Sequence, residues 1–231
     1  MNAFFYGTLI AYIVLAAITI GNVEGENRTR YTTLKTMASL LFIALGLAAY
    51  RASGHEIYKE FLPAYMCCFA GDICLAAARD AEGRLNTKLF MMGLGSFALA
   101  HIFFIRQFFE IQAGKISLFA IVFAVIVPIG NIIASKSPKY NYGKKIIACI
   151  IYGVLIGMVG GFGIDFMING DIRYIRFIGI SAFVFMCSDA IIAIKYFRKN
   201  TPETRKILGK IELTLYYIAM LGLSTFTMFM G

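Results

Sequence analysis

Apolar residues along this chain gather into eight runs, each about as long as a helix needs to cross the hydrocarbon core of a bilayer, with polar residues confined to short stretches between them. The runs are 3–22, 33–50, 61–79, 88–105, 116–134, 146–164, 175–197 and 207–230. The pattern predicts an all-α polytopic bundle of eight transmembrane helices, forming one integral membrane domain over 1–231. The first run has no basic stretch before it and no small-residue cleavage site after it, so it reads as a retained span rather than a signal peptide. Turn formers punctuate the connections at Ser53-Gly54, Glu82-Gly83, Asn141-Tyr142-Gly143 and Asn169-Gly170. None of these loops is long enough to house a soluble domain.

Composition agrees with the pattern. Hydrophobic residues make up 59% of the chain and charged ones 15%, and the mean hydropathy is +0.74, which places it outside the soluble class. A net charge of +9 would suggest a nucleic-acid partner in a soluble protein. Here the basic residues lie between apolar runs and serve as topology signals instead, so no nucleic acid is expected. Of 22 Lys and Arg residues, sixteen flank the odd-numbered loops. Those loops are therefore expected on the cytoplasmic side, with both termini outside, in a multi-pass integral membrane protein. Five cysteines (Cys67, Cys68, Cys74, Cys149 and Cys187) all fall inside apolar runs and imply no disulfide framework. Trp is absent, so the interfacial aromatic belt is expected from tyrosines such as Tyr6, Tyr31, Tyr50, Tyr58 and Tyr174.

The chemistry to explain is a carboxylate near the middle of the third run, Asp72, because an ionised group at that depth is costly unless it faces a polar interior. The seventh run repeats the pattern: Phe69-Ala70-Gly71-Asp72 is echoed by Met186-Cys187-Ser188-Asp189, 117 positions on. That spacing is close to half the chain and raises a parallel four-plus-four duplication. Counting helical rise, each aspartate lies about 12 Å from the inner end of its helix, so the two share a depth, as one shared site would require. Other polar residues fall within the runs: Lys35 in the second, Ser96 and His101 in the fourth, Ser188 in the seventh, Tyr216 and Tyr217 in the eighth. Lys35 reads either as a snorkelling lysine or as a partner for a buried acid. His101 reads as a neutral imidazole, and the serines and tyrosines read equally well as packing residues. Gly153, Gly157 and Gly161 form a small-residue ridge that favours close helix packing over a broken helix at Gly160 to Gly163. Pro128 is the one proline placed deep in a span and predicts a kink. Asp165 and Glu212 fall nearer helix ends, where solvation is cheap.

Several chemistries drop out. There is no His-x-x-x-His or Cys-x-x-Cys pair for zinc, no G-x-S-x-G elbow and no phosphate-binding glycine loop, so neither a metal nor a cofactor is called for. Two acids, a histidine and a lysine suit acid–base hydrolysis or proton-coupled transport. A transporter would want a span interrupted near its middle. A non-catalytic lipid-binding membrane protein is the third reading.

Leu34-Lys35, Gly71-Asp72, Gly95-Ser96-Phe97 with His101, and Phe185-Met186-Cys187-Ser188-Asp189, in this order and spacing, resemble the YhhN-like lysoplasmalogenase family of eight-span membrane proteins. Tyr217 matches an aromatic in that family's last span. Two positions depart: Thr36 stands where the family usually has proline, and the Gln or His expected near Met220 is missing, which removes a polar group from the implied site. The resemblance implies cleavage of the vinyl ether of a lysoplasmalogen to a fatty aldehyde and a glycerophospho-ethanolamine or -choline. It implies Asp72 and Asp189 as the catalytic pair, one protonated and one charged, with Lys35, His101, Ser188 and Tyr217 binding substrate. The implied partners are the lysophospholipid substrate and membrane lipids, with the site opening toward the cytoplasmic half. Nothing in the sequence fixes an oligomeric state.

Overall fold

A computed structural model describes residues 3–25, 27–79, 84–170 and 172–230. Eight α-helices follow one another: α1 (Ala3–Gly21), α2 (Arg28–Ser53), α3 (Ile57–Ala77), α4 (Thr87–Ile111), α5 (Leu118–Ser135), α6 (Ile146–Asn169), α7 (Arg173–Phe197) and α8 (Pro202–Thr225). All eight are long and apolar enough to cross a bilayer, and the chain is a multi-pass, all-helical membrane protein. Among the described residues there is no strand beyond two isolated bridges, Arg79 with Leu85 and Tyr140 with Arg198. The expected turn at Glu82-Gly83 lies outside the described residues.

Several helix ends differ from the hydropathy pattern because local caps, not apolarity, set them. The Asn27 side chain accepts the Arg30 backbone N–H at 2.8 Å, so α2 starts at Arg28, ahead of the apolar run, and takes two arginines into its first turn. It stops at Gly54, whose φ of +76° lets its N–H donate to the Tyr50 carbonyl at 2.7 Å. α3 starts at Ile57, four residues before the expected edge, so Pro63 lies in its second turn, while Pro128 lies well inside α5. Thr201 caps α8 by accepting the Thr204 N–H at 3.2 Å, and Pro202 takes the first helical position. These early starts also correct the aromatic belt: Tyr31 and Tyr58 are buried, and Tyr58 donates to the Ile43 carbonyl at 2.9 Å.

The chain forms two compact units. The first comprises Met1–Phe103 with Met220–Gly231, the second Phe104–Ala219. In the first, α1 packs on α2 and α2 on α3, and a 3-10 turn after α8 (Phe226–Phe229) meets α2. Its core is aromatic: Phe61 and Phe226 have ring centroids 5.0 Å apart, and Tyr65 donates its hydroxyl to the Leu223 carbonyl.

In the second unit α6 packs on α5 and on α7. A Cβ added at Gly157 or Gly161 would stand 2.3 Å or 2.4 Å from the Phe123 or Phe119 carbonyl oxygen of α5, while one at Gly163 would stand 2.7 Å from the Gly179 oxygen of α7. The glycines thus serve close helix approach on both sides, and α6 is unbroken from Ile146 to Asn169. The midspan interruption that a transporter would want is not in α6. Gly157→Ala is expected to cost about 1–3 kcal/mol by overpacking against fixed backbone, read as a lowered thermal midpoint in detergent. Gly95→Ala, where the added Cβ meets nothing within 4 Å, is the control.

Candidate functional site

The first carboxylate centre lies between α2 and α3. Lys35 and Ser39 are one turn apart and share a face of α2, and both meet Asp72 on α3. The Lys35 Nζ is 3.1 Å from Asp72 Oδ1, and the Ser39 hydroxyl is 2.5 Å from Oδ2. Lys35 is 3% exposed and Asp72 and Ser39 are fully buried. Burying each charge alone would cost several kcal/mol, and the pairing offsets that cost. Lys35 is therefore not a snorkelling side chain. The Ser39 oxygen also lies 2.9 Å from the Lys35 carbonyl, so its one hydrogen has two acceptors to choose between. The glycine before Asp72 has its own reason. A Cβ at Gly71 would stand 2.6 Å from the Phe97 ring of α4, so the glycine lets that ring pack closely against α3 at the residue before Asp72. His101, fully buried, follows Phe97 by one turn on the same face of α4.

The second centre lies in the other unit. Tyr152 of α6 donates its hydroxyl to Asp189 Oδ2 of α7 at 2.5 Å. Asp189 is 5% exposed. Ser188, its neighbour in sequence, faces elsewhere and donates to the Glu212 carbonyl of α8 at 3.0 Å. Tyr217 is buried on α8 with its ring 5.6 Å from that of Tyr216, which in turn lies 5.7 Å from Phe185.

A further ion pair was not foreseen. Lys195 Nζ lies 2.7 Å from Glu212 Oε2, with both side chains 5% exposed. The expectation of cheap solvation for Glu212 is corrected: α8 begins at Pro202, not 207, which carries Glu212 well inside the helix and against α7. Asp165 does sit near the end of α6, half-buried, bonded to Asn169 at 2.5 Å and to Gln112. Ser39, one turn after Lys35 on α2, is a site residue the sequence reading missed. Tyr152 was hidden among the glycines of its run.

Each centre offers a carboxyl group inside an apolar unit with its orientation fixed by donors, which suits proton transfer or stabilisation of a developing cation. None of the five cysteines is in a disulfide. Among the described residues no three His, Cys, Asp or Glu side chains gather as a metal site would need. Among curated proteins and solved structures no match is found. The model of the YhhN family matches residues 29–225, from the first turn of α2 to the last residue of α8, and so takes in both carboxylate centres. On that match the chain belongs to the YhhN family.

Proposed function

We propose that this protein is a membrane-embedded hydrolase that cleaves the vinyl ether of lysoplasmalogens. The observation that carries the reading is the buried Lys35–Asp72 pair with Ser39, a charged group built into membrane-spanning helices where such groups are expensive and mark function. Membership of the YhhN family supports it.

The chemistry matches what carboxyl groups can do. A proton added to the β-carbon of the vinyl ether leaves an oxocarbenium ion. Water adds to that ion and gives up a proton, and the resulting hemiacetal collapses to a fatty aldehyde and the free glycerol hydroxyl. The sequence needs one group to deliver a proton and an anion to steady the cation, the same pairing of roles that glycosidases give to two carboxyl groups. Asp72 and Asp189 are the two groups proposed for these roles. Lys35 acts in this reading as the counter-ion of Asp72. His101, Ser188 and Tyr217 are proposed to line the path of the lipid, whose head group sits at the inner leaflet of a bacterial plasma membrane.

Purified protein incubated with a lysoplasmalogen is expected to release free aldehyde and to leave the ester-linked analogue intact. Uptake into sealed vesicles without chemical change would point to transport instead. Lys35→Met separates two roles for that lysine: as a counter-ion its loss lowers kcat about tenfold to a hundredfold. A rise in KM with kcat unchanged would instead make it a phosphate-binding point charge.

A further inference from the structure

The two carboxylate centres are related by more than a short echo around the aspartates. Asp72 and Asp189 are 117 positions apart, and so are the residues that hold them, Lys35 and Tyr152. In both cases the partner comes from the helix before the one that bears the carboxylate. The same shift carries α2 (Arg28–Ser53) onto α6 (Ile146–Asn169) and α3 (Ile57–Ala77) onto α7 (Arg173–Phe197), within a few residues at each end. Burial follows the register. Phe42, Leu45 and Gly46 fall on Val159, Phe162 and Gly163, and Phe61, Tyr65 and Cys68 fall on Ile178, Ala182 and Phe185, all buried. Gly46 and Gly163 do one job in the two places. A Cβ at Gly46 would stand 2.2 Å from the Tyr58 ring of α3, and one at Gly163 would stand 2.7 Å from the Gly179 oxygen of α7. The fourth helices keep the pattern at a shift of 119, where buried Phe97, Ala100, His101 and Phe104 correspond in register to buried Tyr216, Ala219, Met220 and Leu223.

We infer that the chain is two tandem copies of one four-helix unit, and that Tyr152 is in the second copy what Lys35 is in the first, a positioning residue for its aspartate. The copies have diverged at the centre itself. The first keeps an ammonium and a serine hydroxyl on its carboxylate; the second has a phenol at the lysine position and Ile156 at the position of Ser39. By donating to Oδ2, Tyr152 restrains rotation of the Asp189 carboxyl group and so biases the direction in which Oδ1 points. The echo is short in the sequence because lysine and tyrosine share no side-chain chemistry, and the shared feature is the contact each makes with its aspartate.

The part of this inference that concerns turnover rests on the hydrolase reading, so the test has an arm that needs no activity. In the full chain in detergent, double-mutant cycles pair Tyr152→Phe with Asp189→Asn and Lys35→Met with Asp72→Asn, read by thermal unfolding. Both pairs are expected to be non-additive by about 2 °C or more. Additive shifts in the Tyr152–Asp189 cycle would overturn the inference whether or not the protein turns over lipid. In the second arm Tyr152→Phe is expected to lower kcat for lysoplasmalogen about tenfold to a hundredfold, with KM changed by less than about twofold. Tyr152→Lys, which recreates the first copy's donor, should recover part of that loss. An unchanged kcat in Tyr152→Phe, with wild type active, would remove the positioning role. A wild type that releases no aldehyde overturns the hydrolase reading and with it the turnover half of the inference, and the cycles then decide the rest.

Discussion

Asp72→Asn and Asp189→Asn are each expected to lower aldehyde release from lysoplasmalogen by about a thousandfold or more, the size of effect that follows loss of a group moving a proton in the transition state. Asparagine matches aspartate in volume, and its carbonyl oxygen can still accept from Ser39 or Tyr152, so the shape of each centre survives. What it cannot do is carry and release a proton, or stand as an anion beside an oxocarbenium ion. At the first centre one complication has to be removed. Asp72→Asn leaves the Lys35 ammonium buried without the carboxylate that lies 3.1 Å away, and the fold itself could loosen. Combining Asp72→Asn with Lys35→Met takes away both charges at once. That double variant is expected to unfold closer to the wild-type temperature than Asp72→Asn alone while remaining inactive. Thermal unfolding and aldehyde assay on the same preparations separate the two effects, and well-folded variants that still turn over lipid would take these carboxyl groups out of the reaction.

The eight spans could be read from the sequence because a bilayer imposes one length and one polarity on every crossing segment, and that demand leaves a plain trace in hydropathy. Their edges could not, because a cap such as Asn27 on Arg30 is a single local bond that an average over an apolar window does not see. The same gap explains Glu212. Counted from 207 it lay near a helix end, and counted from Pro202 it lies inside, paired with Lys195. Asp72 and Asp189 stood out since a charge in an apolar run has few innocent explanations, and Lys35 was among the partners its span suggested. Ser39 and Tyr152 did not stand out. A hydroxyl in a membrane helix commonly bonds its own backbone, as Ser39 also does with the Lys35 carbonyl, so sequence alone does not reveal which hydroxyls reach across to a neighbouring helix. The glycine ridge of α6 was legible as a packing surface, yet not which neighbour each glycine meets: Gly157 and Gly161 serve α5, while Gly163 serves α7.

Lys195→Met is expected to destabilise the protein by about 3–5 kcal/mol, the usual consequence of taking one partner from a buried ion pair. At about 2–4 °C per kcal/mol for a chain of this size, the thermal midpoint should fall by about 6–20 °C. The cost arises on the side left behind. Glu212, at 5% side-chain exposure, loses the ammonium 2.7 Å from its Oε2 and must either keep an uncompensated charge or take up a proton. If that is the physics, adding Glu212→Leu to Lys195→Met removes the stranded group and should recover most of the loss, since an apolar pair of similar volume replaces a buried ion pair with little penalty. Thermal unfolding of the two singles and the double decides the matter; a single-variant cost under about 1 kcal/mol would mark the pair as energetically no more than a surface one. The seam has a second member whose position gives the result wider reach. Ser188 donates to the Glu212 carbonyl at 3.0 Å, and the next residue along α7 is Asp189, held from the other side by Tyr152. α7 is thus tied to α8 by Ser188 and Lys195 and to α6 by Asp189. Slackening the α8 side loosens the frame in which that carboxyl group is aimed, so Lys195→Met is expected to lower kcat even below its own unfolding range, and the charge-free double variant to restore it alongside stability.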